Sequence, residues 1–144
     1  MFEELKHIEL SGRSYPIKCD LIVLEKIQES YGSIGEFESK LMTWEPELDK
    51  DGNEITTEDG KTKYRGKFPE TRAVNDALFW MTNEGESILA EKEARAPEHF
   101  SREHIVRKVD IPLTELAGLL NEEFFRCFQS KNGKTTQRKE KSQE

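Results

Sequence analysis

The run Glu47-Leu48-Asp49-Lys50-Asp51-Gly52, leading on to Glu58, has the most chemically suggestive spacing in the chain. With Gly52 as position six of a calcium loop, Asp49, Asp51 and Glu58 fall on EF-hand ligand positions. Three features oppose calcium. The first ligand is Glu47 rather than aspartate, the branched apolar residue is displaced by one to Ile55, and Pro46 interrupts an entering helix. Asp51-Gly52 and Asp59-Gly60 are turn dipeptides, and the turn reading is the stronger. Of the histidines, His99 and His104 straddle Ser101 and share no helical face, and no cysteine beside them gives a zinc spacing. Cys19 and Cys127 are far apart in sequence. Cys127 falls on the apolar face of the last helix, which favours a buried reduced thiol over a disulfide. Glu91, Glu93 and the pair Glu122-Glu123 read as solvated helix faces. There is no serine elbow, no phosphate-cradling glycine loop and no cysteine nucleophile in a recognisable context. The expectation is a non-enzymatic protein without catalytic residues, metal or cofactor. A small enzyme or metal protein is the weakest alternative.

The elements that could position a site are helical for the most part. Residues 71–95 carry Val74, Ala77, Leu78, Met81, Gly85, Ile88 and Leu89 at three- and four-residue steps, between Pro69 and Pro97. Such spacing places them on one side of a helix. Gly85 costs about 1 kcal/mol there against alanine, which implies either that another element approaches its backbone closely or that the helix breaks near Asn83. Phe79 and Trp80 lie off the stripe. Before this helix, residues 5–19 alternate around Ser11-Gly12-Arg13 and read as a β-hairpin, with Pro16 limiting one ladder. A lone hairpin is marginal in water, so it must lie on helices or pair elsewhere. Asp20 caps a helix bearing Val23, Leu24, Ile27 and Tyr31 that ends at Gly32. Ser33 and Glu36 have capping-box spacing ahead of the stripe Ile34, Phe37, Leu41 and Trp44.

Residues 45–68 form an acidic excursion, read as either a small mobile hairpin or a disordered segment. Ser101 caps a short helix. Ile111-Pro112 opens the last one, with Leu113, Leu116, Ala117, Leu120, Phe124, Cys127 and Phe128 on one face and Leu119 and Phe125 off it. The basic residues 129–144 read as a disordered tail, and no internal repeat is visible. The expected fold is mainly α with a small N-terminal β-hairpin (α+β), one domain over residues 1–128.

The whole chain narrows the function classes. Its 144 residues are 34% hydrophobic and 35% charged, a thin core for this length. That balance implies either disorder or completion of the core by association. A net charge of −7 argues against a general nucleic-acid binder. A helix-turn-helix reading of residues 101–128 fails because Glu115, Glu122 and Glu123 would face phosphates. No apolar run approaches the length of a membrane helix, and the N-terminus lacks the pattern of a signal peptide. A cytoplasmic protein is expected. Phe79, Trp80, Leu119 and Phe125, surplus to the core faces, are the candidate partner-binding residues; they serve equally as core or homo-oligomer contacts.

Two stretches together resemble a known family. One is Tyr15-Pro16-Ile17-Lys18-Cys19-Asp20 with residues 24–33, and the other is Ala77-Leu78-Phe79-Trp80-Met81-Thr82-Asn83-Glu84-Gly85. This layout, over residues 3–44 and 72–128, resembles the tail assembly chaperones of long-tailed bacteriophages and prophages. The resemblance implies a small, mainly helical, non-enzymatic protein in the bacterial host cytoplasm. Such a protein binds the tape-measure protein, keeps it soluble, and helps tail-tube protein assemble around it. The excursion at 45–68 departs from that pattern. A structural virion protein, such as a head–tail connector or minor tail protein, is the alternative.

Overall fold

A computed structural model describes residues 4–129. Strands β1 (Lys6–Leu10) and β2 (Arg13–Ile17) form an antiparallel hairpin that pairs Ile8 with Tyr15 and His7 with Pro16. Its turn places Ser11 and Gly12 at positive φ, which glycine adopts without steric cost. Ile8, Leu10, Tyr15 and Ile17 are buried. Helices α1 (Leu21–Tyr31) and α2 (Ile34–Leu41) follow, with the expected caps. The Asp20 carboxylate accepts the Val23 N–H at 3.2 Å, and the Ser33 hydroxyl accepts the Glu36 N–H at 3.0 Å. Gly32, at φ 86°, donates its N–H to the Gln28 carbonyl at 2.9 Å.

The central helix α3 (Thr71–Lys92) runs unbroken through Gly85, and the close approach implied at that glycine is real. A Cβ on Gly85 would lie 2.4 Å from the Pro16 carbonyl oxygen and 2.7 Å from the Ile17 nitrogen. The hairpin therefore lies directly on the helix backbone, and the Lys18 N–H donates to the Met81 carbonyl at 3.1 Å. Val74, Ala77, Leu78 and Met81 are buried as expected. Ile88 and Leu89 are only half-buried, and Ala90 takes the inner position. The helix ends earlier than residue 95, and Ala94 turns the chain with φ 55°.

The expected α2 stripe does not continue to Trp44, which instead opens a second β-structure. Strands β3 (Trp44–Pro46) and β4 (Tyr64–Gly66) pair antiparallel, Trp44 opposite Gly66 and Pro46 opposite Tyr64. Beyond them the excursion closes into two tight turns related by eight residues. Asp49 and Thr57 donate their N–H groups to Asn53 and Lys61, and Gly52 and Gly60 donate back to Asp49 and Thr57. The three limbs are joined in a ring: Glu47 N–H to Lys63 O, Lys63 N–H to Ile55 O, and Ile55 N–H to Glu47 O, at 2.8–3.0 Å. Residues 45–68 are thus a hydrogen-bonded ribbon.

Helices α4 (Arg102–Arg107) and α5 (Leu113–Arg126) complete the fold. Leu116, Ala117, Leu120 and Phe124 enter the core beside Phe37 and Phe100. Phe128, placed by its spacing on the inner face, is exposed, its ring edge-on to Phe124 with centroids 5.2 Å apart. Glu123, expected in solvent, is buried. The architecture is α+β, five helices with two small antiparallel sheets among the described residues. No described helix is long and apolar enough to cross a membrane. The basic tail expected over 129–144 lies, from residue 130 onward, outside the described residues.

Candidate protein-interaction site

Three acids stand among the buried residues, and each is held by partners from distant sequence. Asp76 accepts the Tyr31 hydroxyl at 2.7 Å and Arg102 at 3.0 Å. Burial and that bond push the Tyr31 phenol up. Glu86 binds Arg95 at 2.6 Å and accepts the Glu98 N–H at 2.9 Å; the Arg95 guanidinium holds its carboxyl below the usual range. Glu123 accepts the Cys19 N–H at 2.8 Å and pairs with Arg126 at 2.5 Å. All three are satisfied internally, as buried charges must be. They tie helices and loops together. Cys19 and Cys127 are free thiols, and burial raises both.

The Asp49 carboxylate accepts the N–H groups of Asp51 and Asn53 at 2.9 and 3.0 Å. It shapes a turn in place of the calcium loop that its spacing mimics. Among the described residues no group of three or more His, Cys, Asp or Glu is arranged to hold a metal.

Part of the surface left open to solvent is apolar. A groove of about 250 Å³ is lined by Ile22 and Lys26 of α1, by Phe79, Trp80, Asn83, Glu84 and Ser87 of α3, and by His99. Phe79 and Trp80 are half-buried: their inner edges pack on the core, and their outer edges form the groove wall. The Phe79 ring stands edge-on to His99, and Trp80 edge-on to Tyr31, each with centroids 6.4 Å apart. Asn83 fixes the far side. Its amide donates to the Phe79 and Phe100 carbonyls and accepts the Phe100 N–H, all within 3.0 Å. Ile22 is 53% exposed, and Leu21 beside it is more exposed still. At the polar end, burial pushes the Glu84 carboxyl up to about 8, helped by its hydrogen bond to Asp20 and opposed by Lys26. A rigid wall of rings next to exposed aliphatic groups can accept the apolar face of a partner helix.

Of the four residues expected to bind a partner, Phe79 and Trp80 therefore share one groove. Leu119 and Phe125 lie on α5 and do not line it. Leu119 is half-buried against the core, and Phe125 is exposed with its ring against Phe124. Spacing alone missed a second surface, on the ribbon. Trp44, Pro46 and Leu48 alternate with Glu45 and Glu47, while Tyr64, Gly66 and Phe68 alternate with Arg65 and Lys67. By the two-residue period of strands the first sets share one face. Trp44 and Tyr64 are each 59% exposed, Leu48 51% and Phe68 80%. The signal was present as alternation, masked by the acid-rich composition around it.

No protein-family model, no curated protein and no solved structure matches the chain.

Proposed function

We propose that the chain is a non-enzymatic assembly chaperone of long-tailed bacteriophages or prophages, acting in the host cytoplasm on the tape-measure protein and assisting assembly of the tail-tube protein around it. The observation that carries this reading is the groove between α1 and α3. Large apolar side chains that pack on the core with one edge present the other to a groove open to solvent. The two stretches on which the resemblance rests also meet there. Lys26 comes from the first, and Phe79, Trp80, Asn83 and Glu84 from the second. A long helical client offers apolar stripes that need cover until the tube forms, and a ring-walled groove on an acidic, soluble body supplies that cover. The acidic surface also keeps the chaperone from aggregating with its cargo.

Co-expression with a tape-measure protein of a long-tailed bacteriophage or prophage tests the reading. The client is expected in the soluble fraction, bound to this chain, and this chain is expected to be missing from purified particles. A client equally insoluble with and without it overturns the proposal. Recovery of the polypeptide in finished particles supports the virion-component alternative instead.

A further inference from the structure

The β3–β4 ribbon has an apolar face that nothing among the described residues covers, and its features fit one particular occupant. We propose that this face is a dimerisation surface, on which a second copy of the chain packs ribbon against ribbon about a two-fold axis. Three observations select a second copy.

The first is self-complementarity. A groove of about 380 Å³ is lined by Thr43, Trp44, Gly66, Lys67 and Phe68 with Thr114 of α5. Gly66 makes the notch in it, since a Cβ built there meets no atom within 4 Å. Phe68 lines the groove and is exposed, as is the ring of Tyr64 two residues before Gly66. A knob and a notch on the same patch are what an isologous contact requires, because each copy then offers the other both halves.

The second is charge. The chain carries −7 overall, which opposes self-association. The strand-paired base of the ribbon is locally balanced: Glu45 pairs with Arg65 at 2.7 Å and Glu47 with Lys63 at 3.6 Å. Two ribbons can therefore meet without the repulsion the rest of the surface would impose.

The third is area. Aromatic side chains present about 150–250 Å² each, so three that are more than half exposed, with Leu48, offer roughly 500 Å² per copy. Two copies bury about 1,000 Å², the lower bound for a specific interface. The base of the ribbon is also held firm enough to present it: Lys67 donates to the Ser39 carbonyl, and Lys40 pairs with Glu70.

The test is sedimentation equilibrium of the full chain, without any client, over a range reaching about 300 µM. A monomer–dimer equilibrium is expected. Gly66→Val fills the notch without backbone strain and is expected to weaken the dimer at least tenfold while leaving the melting temperature of dilute protein unchanged. Phe68→Ser, which removes a knob, is expected to do the same. A wild-type chain that stays monomeric throughout, or a Gly66→Val chain that dimerises as tightly as wild type, overturns the proposal. So does a monomeric wild type whose client binding is lost on Phe68→Ser, which would assign the ribbon to the client. Because no client is present, failure here leaves the chaperone reading standing, and the reverse also holds.

Discussion

The chain contains two antiparallel ribbons that differ in what covers them. In β1–β2 the apolar face is pressed onto α3 so closely that only a glycine fits beneath it. In β3–β4 an equally apolar face, Trp44 and Tyr64 with Leu48 and Phe68, is open to solvent. The local pattern is the same alternation of apolar and polar residues. Alternation makes a strand with one greasy side, and whether that side becomes core or interface depends on the rest of the chain. A two-stranded ribbon alone is marginal. The second one is held by its ring of backbone bonds and its cross-strand ion pairs, and its exposed face stays available for association.

The comparison can be broken most forcefully at its two tyrosines. Tyr15 is fully buried, edge-on to Phe100 at 5.4 Å. Tyr15→Ala is expected to cost about 3–5 kcal/mol. Tyr64→Ala is expected to change stability by less than about 1 kcal/mol when measured on dilute monomer. Urea unfolding of both variants checks this, and equal losses would erase the distinction between the ribbons.

The two glycines give a smaller contrast of the same kind. Gly85→Ala forces hairpin and helix apart, because the added carbon meets backbone rather than a flexible side chain. A loss of about 2–3 kcal/mol is expected, in spite of alanine's better helix propensity. At Gly66 there is open space, and Gly66→Ala is expected to shift unfolding by no more than about 0.5 kcal/mol.

The last contrast concerns the α1–α3 groove and is read as a slope against pH. The Glu84 carboxyl is raised from its ordinary 4.5 to about 8, so the folded state holds a proton that the unfolded state releases. By linkage, Glu84 contributes stability that is present in full below pH 4.5 and is lost as pH rises toward about 8. Glu84→Gln keeps a neutral group and is expected to flatten the decline in melting temperature between about pH 5 and pH 8. An unchanged slope would show that Glu84 ionises normally.

Much of the first ribbon's setting was legible because its signals are local. Ser11-Gly12 makes the turn, Asp20, Gly32 and Ser33 cap helices, and Gly85 marks a close approach by its cost on an apolar face. What was hidden depends on pairing across long sequence separations. Glu123 reads as a surface acid until the Cys19 N–H and Arg126 are placed around it. Phe128 satisfies the helical period, yet lies past the last turn of α5, where among the described residues it keeps an edge-on contact with Phe124 and stays half exposed. The second ribbon joins segments that flank two tight turns, and a reading by composition registered its acids before its alternation. Within the candidate site, the surplus of Phe79 and Trp80 was visible from the helical period. Their groove partners Ile22 and His99 were not, because only the packing of α1 and the 93–100 loop against α3 brings them near.

The claim on which the account depends is that apolar surface left outside a closed core serves to hold a client. Its most direct test is the affinity of the chain for the tape-measure protein, measured for wild type and for Ile22→Asp. Ile22 lines the groove but is more than half exposed, so the variant is expected to keep its melting temperature within about 2 °C. The account predicts at least a tenfold loss of affinity with the fold intact. Undiminished binding by a folded Ile22→Asp chain would contradict it.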